Sequence, residues 1–132
     1  CKGDKKVYDV EMRPRLMCSA IEELRKAGVE PDVWKLEGLD RKEDCAKVCQ
    51  TAKADGRDKV GCIVLGRGES DAKVREWLKV GKNVPGVIGF AVGRTVFWEP
   101  LKGFQEGKLS REQAIDQIAK NYTGFCKLWL EA

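Results

Sequence analysis

The 132-residue sequence contains no histidine. That removes the side chain that most often serves as general base near neutral pH, the Ser–His and Cys–His couples, and the commonest metal ligand. Chemistry in this chain must run on Lys, Arg, Asp, Glu, Tyr, Cys or backbone groups. No apolar run approaches the roughly 20 residues that cross a bilayer, so no membrane partner is expected. Basic residues form no block of the kind that binds nucleic acid, so none is expected there either. No basic, apolar and small-residue leader is visible at the start. The chain opens on Cys1 rather than Met, which suggests a piece of something longer.

Hydrophobic residues make up 42% and charged residues 35%, a balance too apolar for disorder and ordinary for one globular domain. The net charge of +4 is spread among interleaved charges of both signs. Six cysteines stand at 1, 18, 45, 49, 62 and 126, and no pair has the C-x-x-C spacing of a zinc ribbon or a thioredoxin motif. Cys45 and Cys49 share a helical stripe with Val48 and Ala52, and Cys62 lies within an apolar run. They read as small buried hydrophobes in a reducing compartment, which points to the cytoplasm.

Met17, Ala20, Ile21 and Leu24 form a helical stripe that stops at Gly28. A short strand is expected over 33–36. Asp40 with Glu43 reads as a capping box for the next helix, which Gly56 closes. The run 60–65 is a second strand. Ser70 caps a helix with the stripe Val74, Trp77 and Leu78, and 86–92 forms a third strand. A short helix follows over 97–105 and ends at Gly107. Ser110 and Gln113 cap a last long helix, with Ile115, Ile118, Ala119, Tyr122, Phe125 and Trp129 facing inward. The opening residues 5–12 lean towards helix before Pro14.

The three strands start about 27 residues apart and alternate with helices. The second and third are continuously apolar, as expected of parallel strands covered on both faces. This α/β pattern fits a small doubly wound sheet or consecutive units of a TIM (β/α)8 barrel. A full barrel takes about 250 residues, so the chain would hold about half of one. The remainder would come from upstream or from a second copy, because three strands alone leave unpaired edges.

Ligands in such folds bind at the carboxyl ends of the strands. Strand alternation puts Val33 and Lys35 on one face and Trp34 and Leu36 on the other. Pointing into a barrel, Lys35 would be desolvated, its pKa lowered, and its amine able to form a Schiff base. At the strand rim it would simply reach water. Gly66-Arg67-Gly68 and Gly93-Arg94 share one form, a strand, then Gly-Arg, then a helix start. Glycine lets backbone approach an anion, the helix N-terminus offers free N–H groups, and arginine adds a fork, so both loops are candidate phosphate sites. Thr95, Phe97 and Trp98 either line a pocket floor or pack the short helix. Glu11 and Glu37 are candidate carboxylates without an assigned role, while Glu22, Glu23 and Glu112 read as solvated or capping charges.

The stretches 28–38, 60–68 and 89–97 resemble the aldolase-like domain fused behind 5-dehydro-2-deoxygluconokinase in bacterial myo-inositol breakdown. They are similar, more distantly, to class I tagatose-1,6-bisphosphate and sulfofructose-phosphate aldolases, which are TIM barrels. The resemblance implies the C-terminal half of such a barrel, with Lys35 as the Schiff-base lysine. It likewise implies that Gly66, Arg67, Gly68, Gly93 and Arg94 hold the substrate phosphate. The acid/base carboxylate of those aldolases would precede Cys1. The function so implied is a lyase cleaving a phosphorylated keto-sugar, such as 2-deoxy-5-keto-gluconate 6-phosphate, without metal or cofactor. A non-catalytic sugar-phosphate-binding domain attached to the kinase is the alternative, and a structural half barrel pairing with a second copy is a third.

Overall fold

The computed structural model describes residues 3–131, which leaves Cys1 outside. One short turn of helix, α1 (Lys5–Val7), is capped by the Asp4 carboxylate and runs through a π-helical turn, Tyr8–Met12, into α2 (Arg13–Lys26). Then follow β1 (Val33–Glu37), α3 (Lys42–Lys53), β2 (Gly61–Leu65), α4 (Asp71–Gly81) and β3 (Val87–Ala91). Two helices, α5 (Arg94–Gln105) and α6 (Arg111–Leu130), complete the described chain. The strands form a three-stranded sheet in the order β1-β2-β3, with both pairings parallel. Each crossover passes through a helix, as parallel neighbours require. The fold is therefore α/β, built of parallel βα units.

Alternation along β1 has the predicted sense. Trp34 and Leu36 pack against the helices, with Cys18, Ile21, Val48, Cys49, Ala52 and Cys62 in a first core cluster. Val64, Val74, Trp77, Leu78, Val96 and Phe125 form a second. Cys18, Cys45, Cys49 and Cys62 are buried free thiols, Cys45 and Cys49 on the predicted stripe, while Cys126 is only half-buried. Coverage of both sheet faces, expected for β2 and β3, is not observed. Val33 is 41% exposed and Ile88 62% exposed, and Lys35 is exposed on the same side as Val33. Among the described residues the helices cover one face only. No helix there is long and apolar enough to cross a membrane.

Four local expectations need correction. No capping box opens α3: its N-cap is Arg41, without a side-chain bond. The Asp40 carboxylate instead accepts from Trp77 Nε1 at 2.5 Å and pairs with Lys73 at 2.8 Å, and these tertiary partners outcompete the local N–H groups. On α6, Ile115, Ala119 and Tyr122 are exposed, because the inner line runs through Ala114, Ile118, Phe125 and Leu128. On α2, Ala20 and Leu24 are exposed while Pro14, Cys18 and Ile21 are buried, a stripe rotated by about one residue. The helix expected from residue 97 begins at Arg94, so Arg94 and Thr95 occupy its first turn. The caps by Ser70 and by the Ser110–Gln113 box form as predicted.

Candidate functional site

The turn after β2 closes with Glu69 N–H donating to the Gly66 carbonyl at 2.9 Å. Both central residues lie in the left-handed region, Arg67 at φ 53° and Gly68 at φ 76°. Glycine adopts that conformation freely, whereas arginine is strained in it and must be held by contacts elsewhere. The loop after β3 supplies some of them. Arg94 Nη2 donates to the Arg67 carbonyl at 3.3 Å, and Thr95 Oγ1 donates to the Glu69 carbonyl at 3.1 Å. The two Gly-Arg loops, 27 residues apart in sequence, are thus tied together.

Their junction borders a pocket of about 580 Å³, lined by Gly68, Ser70, Arg94, Thr95 and Trp98 together with the carboxylates Glu69, Asp71 and Glu99. Gly93, the N-cap of α5, provides no side-chain bond to the first turn of that helix. An uncapped helix N-terminus beside an exposed arginine favours an anion. Trp98, 51% exposed, adds an aromatic wall, and Phe97 is exposed on the same helix. Both residues thus lie at the surface of α5 rather than in its packing.

Arg67 is differently placed from Arg94. Its Nη1 and Nη2 donate to Asp9 Oδ1 and Oδ2 at 2.8 and 3.0 Å, to Glu37 Oε2 at 3.2 Å and to Glu69 Oε1 at 2.9 Å. The bond from Arg67 pulls the Asp9 carboxyl down to about 2; burial opposes this, while the nearby charges of Arg67, Arg13 and Lys5 reinforce it. The same bond pushes the Arg67 guanidinium above its ordinary range. Arg13 Nε reaches Asp9 Oδ1 at 3.1 Å, and its Nη1 donates to the Gly38 carbonyl at 2.7 Å. Both guanidinium groups lie over the Trp77 ring, 5.3 and 5.4 Å from its centroid. Sequence reasoning misses Asp9, Arg13 and Trp77 as site residues; its one signal is the i,i+4 spacing of Asp9 and Arg13.

Residues 5–132 match the model of a family described as uncharacterized proteins conserved in bacteria, DUF2090. The chain belongs to the DUF2090 family. No curated protein and no solved structure matches it. The span that defines this DUF2090 chain includes Lys35, both Gly-Arg loops and the Asp9–Arg67 pair. Lys35 stands opposite Ile63 on the uncovered face of the sheet and does not line the pocket beside Arg94. Glu37, two residues on, is bound to Arg13 and Arg67, and Glu11 is paired with Arg41. The DUF2090 chain therefore brings Gly68 and Arg94 together, commits Arg67 to carboxylates, and leaves Lys35 apart on the open face.

Proposed function

We propose that this chain supplies the amine and the phosphate grip of a class I aldolase-type lyase for phosphorylated keto-sugars. The observation that carries this reading is the junction of the two loops, where Arg94 and the uncapped first turn of α5 share one pocket. That pocket lies at the carboxyl ends of parallel strands, where α/β folds receive their ligands. One-sided coverage of the sheet favours barrel units, since a doubly wound sheet carries helices on both faces. Further strands, from upstream or from a second copy, would then cover Val33, Lys35 and Ile88. Covering Lys35 removes water from its amine and lowers its pKa, the condition for attack on a carbonyl.

Lys35 Nζ attacks the keto carbon of the substrate and water leaves. A carboxylate outside this chain takes the hydroxyl proton of the carbon that leaves as an aldehyde, and the protonated imine accepts the electron pair of the breaking carbon–carbon bond. Return of that proton to the enamine and hydrolysis of the imine then free Lys35. Arg94, the Gly68 N–H and the first turn of α5 hold the phosphate, with Arg67 fixing the loop on which Gly68 sits. The resemblance to the aldolase-like domain of inositol breakdown supports a keto-sugar acid phosphate as substrate. The free buried thiols fit a reducing cytoplasm.

Borohydride trapping of the complete protein with dihydroxyacetone phosphate or a keto-sugar phosphate tests this. The expected adduct lies on Lys35 and is lost in Lys35→Ala. Absence of an adduct on Lys35 removes it from the site. Exposure of Lys35 favours one second reading, a sugar-phosphate-binding domain without turnover. Binding of sugar phosphates unchanged by Lys35→Ala, with no cleavage product, identifies that case.

A further inference from the structure

The carboxylate that occupies Arg67 comes from a segment in which no residue is fully buried. Arg67 forks onto both oxygens of Asp9, at 2.8 and 3.0 Å, and Arg13 Nε meets Oδ1 at 3.1 Å. Two guanidinium groups converging on one carboxylate make the geometry by which proteins grip carboxylate and phosphate groups of ligands. We propose that Arg13 and Arg67 form an oxyanion-binding site that the chain keeps filled with its own Asp9 carboxylate. The carboxylate or phosphate group of a small ligand displaces it.

Arg13 provides an independent observation. Its side chain is only 3% exposed, and Nη2 is buried without a hydrogen-bond partner. A buried donor left unmatched is costly, so the present acceptors leave this guanidinium incompletely satisfied. Asp9 has both oxygens engaged already, whereas a tetrahedral phosphate brings a further oxygen to the same place. Trp77 forms a flat apolar floor under both guanidinium groups and keeps them in line.

The segment that carries Asp9 is built to leave. Neither α1 nor the π-helical turn buries a single residue. Among the described residues, its links to the rest of the molecule include two exposed ion pairs, Lys5–Glu69 at 2.9 Å and Glu11–Arg41 at 2.5 Å. Exposed pairs of this kind contribute little and weaken with salt. The π-helical turn marks the join to α2, and such turns recur at functional sites. When the segment lifts, Glu37 and Glu69 remain on Arg67 and keep its fork aimed. One negative charge on the ligand then replaces the one that Asp9 removes.

This inference rests on the reading above only in taking this end of the sheet as the receiver of an anionic ligand. The complete chain is titrated with inorganic phosphate and, separately, with acetate. Asp9→Ala is expected to bind at least one of them about five-fold more tightly than the native chain, a gain near 1 kcal/mol. Amide exchange at residues 4–12 of the native chain is expected to rise as the same anion saturates. The anion that produces both effects shows which group the site takes. Affinity for both anions unchanged or weakened in Asp9→Ala overturns the proposal, and so does unchanged exchange at 4–12 under saturating anion. Should Asp9→Ala fail to fold, Glu11→Gln loosens the same segment away from Arg67, with the same expectation and the same overturning result. Arg94→Ala separates the two readings. If it alone abolishes phosphate binding, the displaceable carboxylate is wrong and the Arg94 pocket stands. If it changes nothing while Asp9→Ala tightens binding, the Arg94 pocket is wrong and this site stands.

Discussion

A Cβ on Gly68 would lie 2.6 Å from Arg94 Nη2, so the guanidinium of the second loop fills the space that the glycine of the first leaves open. The two sequence motifs are halves of one joint. Gly68→Ala meets two penalties, the positive φ of 76° and this contact. The guanidinium is the far end of a flexible side chain and can swing aside, so the stability cost is the backbone strain, about 1 kcal/mol. The larger expected effect is on binding, because Arg94 loses its place beside the α5 N-terminus. Thermal unfolding with a phosphate titration checks the pair of outcomes, a small loss in Tm against a loss of affinity of about ten-fold.

Gly38 gives the opposite balance. A Cβ there would stand 2.4 Å from Trp77 Cβ and Cγ, and Trp77 is 1% exposed. The indole cannot retreat, since Asp40 holds its Nε1 and Arg13 and Arg67 cover its face. Gly38→Ala is expected to destabilise by about 2–3 kcal/mol, in the range of core overpacking. Urea unfolding measures it, with an unchanged m-value if only packing is disturbed.

Much of this architecture is legible in the chain because its determinants are local. The left-handed stops at Gly28, Gly56 and Gly107, the Ser70 and Ser110 caps and the 27-residue strand spacing each depend on neighbours in sequence. The same holds for the shared form of the two Gly-Arg loops. What is not legible depends on distant partners. Asp40 looks like a cap until Trp77, 37 residues away, claims it. Arg67 looks free until Asp9, 58 residues away, is seen on it. Asp9 and Arg13 do stand at the i,i+4 spacing of a helical ion pair, but nothing in the spacing brings Arg67, 58 residues away, onto the same carboxylate. Lys35 shows the reverse limit: its face is correct by alternation, but its environment depends on what covers that face.

Asp9 makes stability depend on acid in a defined sense. Its carboxyl is held down to about 2 in the folded chain against an ordinary 3.8, so the folded form binds its proton less readily. The stabilisation is therefore complete above about pH 4 and is lost as the pH falls towards 2. Asp9→Asn removes it at all pH values. The native chain is expected to exceed Asp9→Asn by about 1–2 kcal/mol near pH 6, the worth of a charge-assisted bond, and the two should converge near pH 2. Unfolding curves of both proteins across that range provide the comparison; a constant gap would mean that the charge of Asp9 is not what stabilises.

Ile88 tests what lies over the open face. Its side chain is 62% exposed and lies across Gly61, where a Cβ would come within 2.5 Å of Ile88 Cδ1. A lone exposed isoleucine on a finished surface tolerates lysine, with a change within about 0.5 kcal/mol. On the inside of a completed barrel the same substitution buries an unpaired charge and removes an apolar contact, which costs at least about 3 kcal/mol. Ile88→Lys in the complete protein is expected to follow the second course, and Val33→Lys on the same face to follow it too. Circular dichroism melts of both variants read the difference. If both melt with the native protein, the face stays open to water. Lys35 then lacks the shelter that its proposed chemistry requires.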